Sequence, residues 1–118
     1  MATNNKMSSA VILMTRDGLG NAEPALMHKL VGTYLQLLLD NGDLPAAICF
    51  YTDGIKLTVE DSPVLEQLTA LESKGVRLIV CTTCLNYFGL MDKLKVGIAG
   101  GMGDILSAQI NAEKVITL

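Results

Sequence analysis

Val76-Arg77-Leu78-Ile79-Val80, followed at once by Cys81-Thr82-Thr83-Cys84-Leu85-Asn86-Tyr87-Phe88-Gly89, is the stretch on which the fold turns. The opening apolar run reads as a buried strand. Where it ends, two cysteines stand just before residues 85–90, which have the length of a short helical turn. A thiol at a helix start meets unpaired backbone N–H groups and the positive end of the helix dipole. Both favour the thiolate, the reactive form. The competing reading is that these cysteines pack as small hydrophobes.

The same handover from strand to helix recurs on either side. Residues 10–15 are an apolar run between polar neighbours and read as a first, central strand, followed by a loop over 16–21. Pro24 suits the first turn of a helix. Leu26, Met27, Leu30, Val31, Tyr34, Leu35 and Leu38 then recur at helical spacing as far as Asn41-Gly42, where glycine offers a C-cap. Residues 46–51 read as a second strand, with Cys49 as inert core. The strand leaves through Thr52-Asp53-Gly54, a turn signal with a carboxylate, and 55–59 read as a short extended excursion. Ser62-Pro63 opens another helix, buried through Val64, Leu65, Leu68 and Leu71 and ended by Lys74-Gly75. Beyond the cysteines come a short strand over 95–99, a Gly100-Gly101-Met102-Gly103 loop, a helix over 104–111 and a last strand over 114–118.

Strict alternation of strand and helix implies an α/β fold: a mainly parallel sheet covered on both faces through right-handed crossovers. Ligands of such sheets gather outside the carboxyl ends of the strands. Asp53, Cys84 and the Gly100-Gly101 backbone are then expected as neighbours at one edge, with Gly54 and Thr83 completing the rim of a pocket. Asp53 can equally be satisfied by its own turn. The glycine loop can cradle an anion at a helix N-terminus or simply turn the chain, and the turn is the reading preferred here.

Composition narrows the rest. At 118 residues the chain is expected to be one domain over 10–118, preceded by a loose polar arm over 1–9. Half of it is hydrophobic and only 4 % aromatic, so the core must be aliphatic, as suits strands covered by helices. Net charge is −3, and the nine basic residues form no long run, which argues against nucleic acid as a partner. Three cysteines are too few, and odd in number, for a disulfide framework. The apolar run over 10–14 is too short for a signal core or a membrane span, so a cytoplasmic protein is expected. An aliphatic chain of this size with modest charge is also expected to self-associate.

Three chemistries compete for the cysteines. A sulfur carrier needs one exposed thiolate that accepts sulfane sulfur as a persulfide and yields it to another thiol. Thiol-disulfide exchange would use both, since Cys81 and Cys84 have CxxC spacing, although Cys81 reads as the end of a strand rather than the start of a helix. Metal is disfavoured, because beyond the pair only Cys49 and the single histidine, His28, remain. One histidine supports no Ser-His-Asp constellation either, and no cofactor is indicated.

Phe50-Tyr51-Thr52-Asp53-Gly54-Ile55-Lys56-Leu57-Thr58, together with Cys81-Thr82-Thr83-Cys84-Leu85-Asn86-Tyr87-Phe88-Gly89-Leu90 and its continuation Asp92-Lys93-Leu94-Lys95-Val96-Gly97, resembles the DsrE-like domain of YedF-type proteins. The resemblance runs over about residues 11–118. It implies a three-layer α/β/α fold with a five-stranded parallel sheet, assembly into oligomers, and a sulfurtransferase-like role in sulfur relay or selenium metabolism. In sulfur-relay members the acceptor cysteine follows the third strand, a position that Cys84 matches better than Cys81.

The chain also departs from that pattern. YedF-type proteins carry an N-terminal TusA-like domain with its own cysteine, which these residues do not supply. The resemblance then implies either that a sulfur donor or acceptor is a separate protein, TusA-like or other, or that the relay role is lost. Thr82 stands where the branch has glycine, and Gly101 where it has asparagine, which removes a polar side chain from the expected site. The rival to a carrier is a non-catalytic module that holds a small ligand or partner at the strand ends.

Overall fold

Ala10–Met14, Ala47–Phe50 and Arg77–Cys81 form strands β1, β2 and β3, so apolar that every residue except Arg77 is buried. The computed structural model describes residues 5–118. Ile98–Gly100 (β4) and Lys114–Thr117 (β5) are the edge strands of a five-stranded sheet in the order β4-β3-β2-β1-β5. Every pairing is parallel, so the α/β expectation is met without an antiparallel strand in the sheet.

Four α-helices join the strands: α1 (Pro24–Asn41), α2 (Leu65–Ser73), α3 (Thr82–Tyr87) and α4 (Met102–Ile110). The steps from β1 to β2 and from β2 to β3 advance in one direction, so right-handed crossovers put α1 and α2 on one face. The step from β4 to β5 reverses that direction across the whole sheet and puts α4 on the other. Val31, Leu35 and Leu38 of α1, Leu68 and Leu71 of α2, and Ile105 of α4 are buried. Side chains alternate between the faces along each strand. Leu13, Cys49 and Ile79 are register partners, and Ile79 lies with Asp104 beside Gly100, so this row faces α4. Cys49 is fully buried there, in keeping with core.

Several local expectations are corrected. Of residues 55–59 only Val59 is extended, bridged to Leu94: Thr52–Thr58 form a 3-10 helix that buries Ile55 and Leu57 completely. The Thr58 hydroxyl, itself buried, donates to the Ile55 carbonyl (2.6 Å), which closes the turn and satisfies the one buried polar side chain of that segment. The helix after Ser62-Pro63 starts at Leu65, although the Ser62 hydroxyl still accepts the Val64 N–H (3.2 Å). Of the arm expected over 1–9, residues 1–4 lie outside the described residues. From Asn5 onward the chain hydrogen-bonds to itself and to the rest of the domain. The Asn5 amide donates to Leu44 O (3.0 Å), its carbonyl accepts Met7 N–H (2.9 Å), and Ser9 O accepts Glu113 N–H (2.9 Å). Among the described residues no helix is long and apolar enough to cross a membrane.

Candidate functional site

A parallel sheet brings all strand exits to one edge, and here the exits of β1, β2 and β3 meet through hydrogen bonds. Cys81 is the last residue of β3 and the N-cap of α3, so the helix begins at Thr82, earlier than residue 85. Cys84 falls at the third helical position, one turn in, where its side chain turns back over the strand exits. Cys81 is buried and Cys84 only partly so. The Sγ of Cys84 accepts the backbone N–H of Thr52 at 3.1 Å, a bond between the exits of β2 and β3.

Thr52 has φ of +49°, a left-handed backbone that a β-branched residue rarely adopts, at a cost of about 1–3 kcal/mol. Its hydroxyl donates to the Thr15 carbonyl (2.8 Å), just past β1, and lies as close to its own neighbour's carbonyl, Tyr51 O (2.7 Å). Thr15 in turn donates its hydroxyl to Leu118 O (3.0 Å). That bond spans β1 and β5, the point where the strand order reverses and where a ligand crevice would ordinarily open. The thiol site instead sits over β2 and β3.

The remaining expected residues separate. Asp53 is exposed and pairs with Lys56 (2.8 Å), whose Nζ also lies 4.7 Å above the Phe88 ring. Gly54 is buried against the end of β1 and lines no rim. Thr83 is exposed on α3. Gly100 is the register partner of Cys81, so it does neighbour the cysteine pair. The Gly101 N–H is taken by Asp104 Oδ2 (3.0 Å), an internal carboxylate in the place an anion would occupy, so the glycine loop is a capped turn. His28 pairs with Asp17 (3.2 Å) and lies apart from the thiols. Among the described residues no cluster of His, Cys, Asp and Glu is dense enough for a metal ion. A cavity of about 380 Å³ opens beside β3 and β4, with Glu72, Arg77, Ile98, Gly100 and Asp104 among its walls, but Cys84 is not one of them.

The electrostatics correct one expectation. Burial pushes the Cys84 thiol above its ordinary pKa; the Thr52 N–H pulls it back, and the neighbouring Cys81 thiol adds to the rise. Cys49 is pushed further, to about 11, by burial against a weaker opposing pull from Arg77. Thr52 itself was readable in sequence only as part of a turn. The exposed aromatic pair Tyr87 and Phe88, packed edge to face at 5.4 Å one turn beyond Cys84, carried no separate signal.

A family model described as DsrE/DsrF-like family matches residues 7–118. Among solved structures, the ychN protein from E. coli superposes with a TM-score of 0.63 at 19 % identity, covering 95 % of this chain and 100 % of that one. A protein of unknown function from Methanobacterium thermoautotrophicum, MTH1491, gives 0.66 at 19 % identity, with 94 % and 99 % covered. BT1422 from Bacteroides thetaiotaomicron, also described as of unknown function, gives 0.64 at 16 % identity, with 99 % and 100 % covered. At these identities the likeness speaks for the fold. No curated protein matches the chain.

Proposed function

The chain belongs to the DsrE/DsrF-like family, and on that premise we propose that it carries sulfur, or selenium, as a persulfide on Cys84. The observation that supports this most is the contrast among the three thiols: Cys84 is partly exposed at the strand exits with an N–H on its sulfur, whereas Cys49 and Cys81 are buried. In loading, the Cys84 thiolate attacks the outer sulfur of a donor persulfide. The donor's S–S bond breaks, its electron pair leaves with the donor thiolate, and Cys84 gains one sulfur without net oxidation. In unloading, an acceptor thiolate attacks that outer sulfur and Cys84 departs as the thiolate.

Both steps need a second thiol-bearing protein, TusA-like or other, and the Cys-x-x-Cys-Leu segment draws the reading toward the YedF-type branch. Self-association belongs to the same reading. It is supported by Leu26, Leu30 and Leu37 exposed on α1, and by Met102, Leu106 and Ile110 exposed on α4. The test is intact-mass measurement after exposure to polysulfide or a persulfidated donor protein. Wild type is expected to gain one sulfur, mapped to Cys84, and Cys84→Ser none. Equal loading of the variant would sink the proposal.

A second reading, CxxC disulfide exchange, is favoured by one observation: the Cys81 thiol lies close enough to Cys84 to help push the Cys84 thiol up. It requires the buried Cys81 to act in every cycle, which the carrier does not.

A further inference from the structure

We propose that Thr52 is the positioning residue of the Cys84 site: its backbone N–H holds the sulfur, and its hydroxyl, anchored on the end of β1, holds that N–H in place. The inference rests on Cys84 being the working thiol. Three observations on the exit of β2 carry it. The N–H of Thr52 donates to Sγ of Cys84 at 3.1 Å across 32 residues of chain. The residue that offers this N–H has a backbone that β-branched side chains avoid, at φ of +49°. The turn is also clamped from below, because the Thr52 hydroxyl donates to Thr15 O at 2.8 Å and the buried Gly54 rests on the Met14 carbonyl.

A turn without a role for its N–H would be better served by glycine or asparagine, which reach this backbone without strain. Threonine adds the one group, a hydroxyl, that ties the turn to β1. Its methyl-bearing Cβ also stiffens the side chain, which keeps the hydroxyl against the Thr15 and Tyr51 carbonyls. The N–H is therefore fixed before any sulfur arrives.

Such a donor acts at both ends of a transfer. An N–H bond to a thiolate is stronger than one to a neutral sulfur. It stabilises the charge that Cys84 takes on as the thiolate forms for loading. It receives charge again in unloading, when the S–S electron pair returns to Sγ and the acceptor leaves with the outer sulfur. In the loaded state the inner sulfur is neutral and the bond is weakest, so the site favours giving sulfur up over keeping it.

The test is the pH profile of Cys84 alkylation, read by peptide mapping in the full chain, with Cys49 as the internal marker of an intact fold. Thr52→Val keeps the shape and loses the hydroxyl. It is expected to move the profile to higher pH and slow labelling at neutral pH by about tenfold, the consequence of one pKa unit. Thr52→Ser restores the hydroxyl and should restore the profile. Thr52→Gly accepts the left-handed backbone freely but has no anchor, and should follow the valine variant. An unmoved profile in Thr52→Val, or a glycine variant identical to wild type, overturns the proposal. If the valine variant exposes Cys49 and so has not folded, the serine and glycine variants decide alone. Sulfur loading is measured separately: a shifted profile without loading upholds Thr52 and defeats the carrier, and loading with an unmoved profile does the reverse.

Discussion

Gly54 lies against the carbonyl of Met14 so closely that a Cβ at this position would overlap the carbonyl oxygen. The contact joins the turn after β2 to the end of β1 and fixes the height at which Thr52 stands beside Cys84. Neither backbone can retreat, since the Tyr51 N–H also donates to that same Met14 oxygen (3.1 Å). Gly54→Ala is therefore expected to cost about 3 kcal/mol or more, at the upper end of overpacking changes. Denaturant unfolding measures it; a loss under about 0.5 kcal/mol, the range of neutral surface changes, would contradict the packing.

Labelling of the native protein should modify Cys84 first, with the buried Cys81 and Cys49 both slow, following exposure. Because burial holds the Cys84 pKa above its ordinary value, its rate should still be climbing where an exposed cysteine has levelled off. A plateau near neutral pH would mean that the Thr52 N–H outweighs burial. Equal, slow labelling of all three until denaturation would make the cysteines structural.

Cys49 gives a linkage prediction of definite sign. Its folded pKa is raised from 9.0 to about 11, so the folded state favours the neutral thiol. The associated stability is complete below the ordinary thiol value and is lost as pH climbs from 9.0 toward about 11. Cys49→Ala leaves a small void and should be less stable at neutral pH, but its stability should fall less steeply across that window. Parallel stability curves for the two proteins would contradict the assignment.

How much of this was legible in the sequence follows from what periodicity encodes. Apolar runs such as 76–80 mark strands buried on both faces, and their alternation with helical spacing leaves little choice but a parallel sheet. Boundaries slipped where a polar side chain served the backbone: Ser62 binds the Val64 N–H and delays α2, and Thr58 closes a 3-10 turn where an extended segment was expected. The place of Cys84 at the strand exits was legible because the cysteine pair directly follows an apolar run. Thr52 was not, because a threonine at positive φ follows from the surrounding structure and leaves no pattern in the chain. Asp53 and Gly101 share the site's edge by topology, but each is satisfied locally, by Lys56 and by Asp104. Spacing alone does not reveal that.

Light scattering is expected to find a dimer, a trimer or a multiple of these at micromolar concentration. Leu26, Leu30 and Leu37 lie along the outward side of α1, and Met102, Leu106 and Ile110 recur every fourth residue along α4 on the opposite face of the sheet. Leu106 is 52 % exposed and Ile105 beside it is fully buried, so a charge at 106 should spare the core. Leu106→Asp should shift the protein toward smaller species without lowering the stability of the smallest unit. A monomeric wild type would remove the assembly from the proposal.

The division of labour between the two site cysteines can be decided by single variants. A carrier needs only Cys84, and the neighbouring Cys81 is then a route by which the persulfide is discharged. The Cys81 thiolate would attack the Cys84 sulfur, expel hydrosulfide and leave a Cys81–Cys84 disulfide, which an external thiol must reduce before the next cycle. Cys81 is buried, so this attack should be slower than transfer to an acceptor that arrives from solvent. Cys81→Ser should therefore load like wild type and keep its sulfur longer, visible by intact mass over time as a slower loss of the added sulfur with no disulfide formed. A dithiol exchanger behaves oppositely, because without Cys81 the mixed disulfide formed at Cys84 has nothing to displace it and turnover stops. Loss of loading in Cys81→Ser, with a disulfide-reducing activity abolished by either substitution, would replace the carrier with the exchanger. Equal loading in both single variants would defeat Cys84 as the carrier.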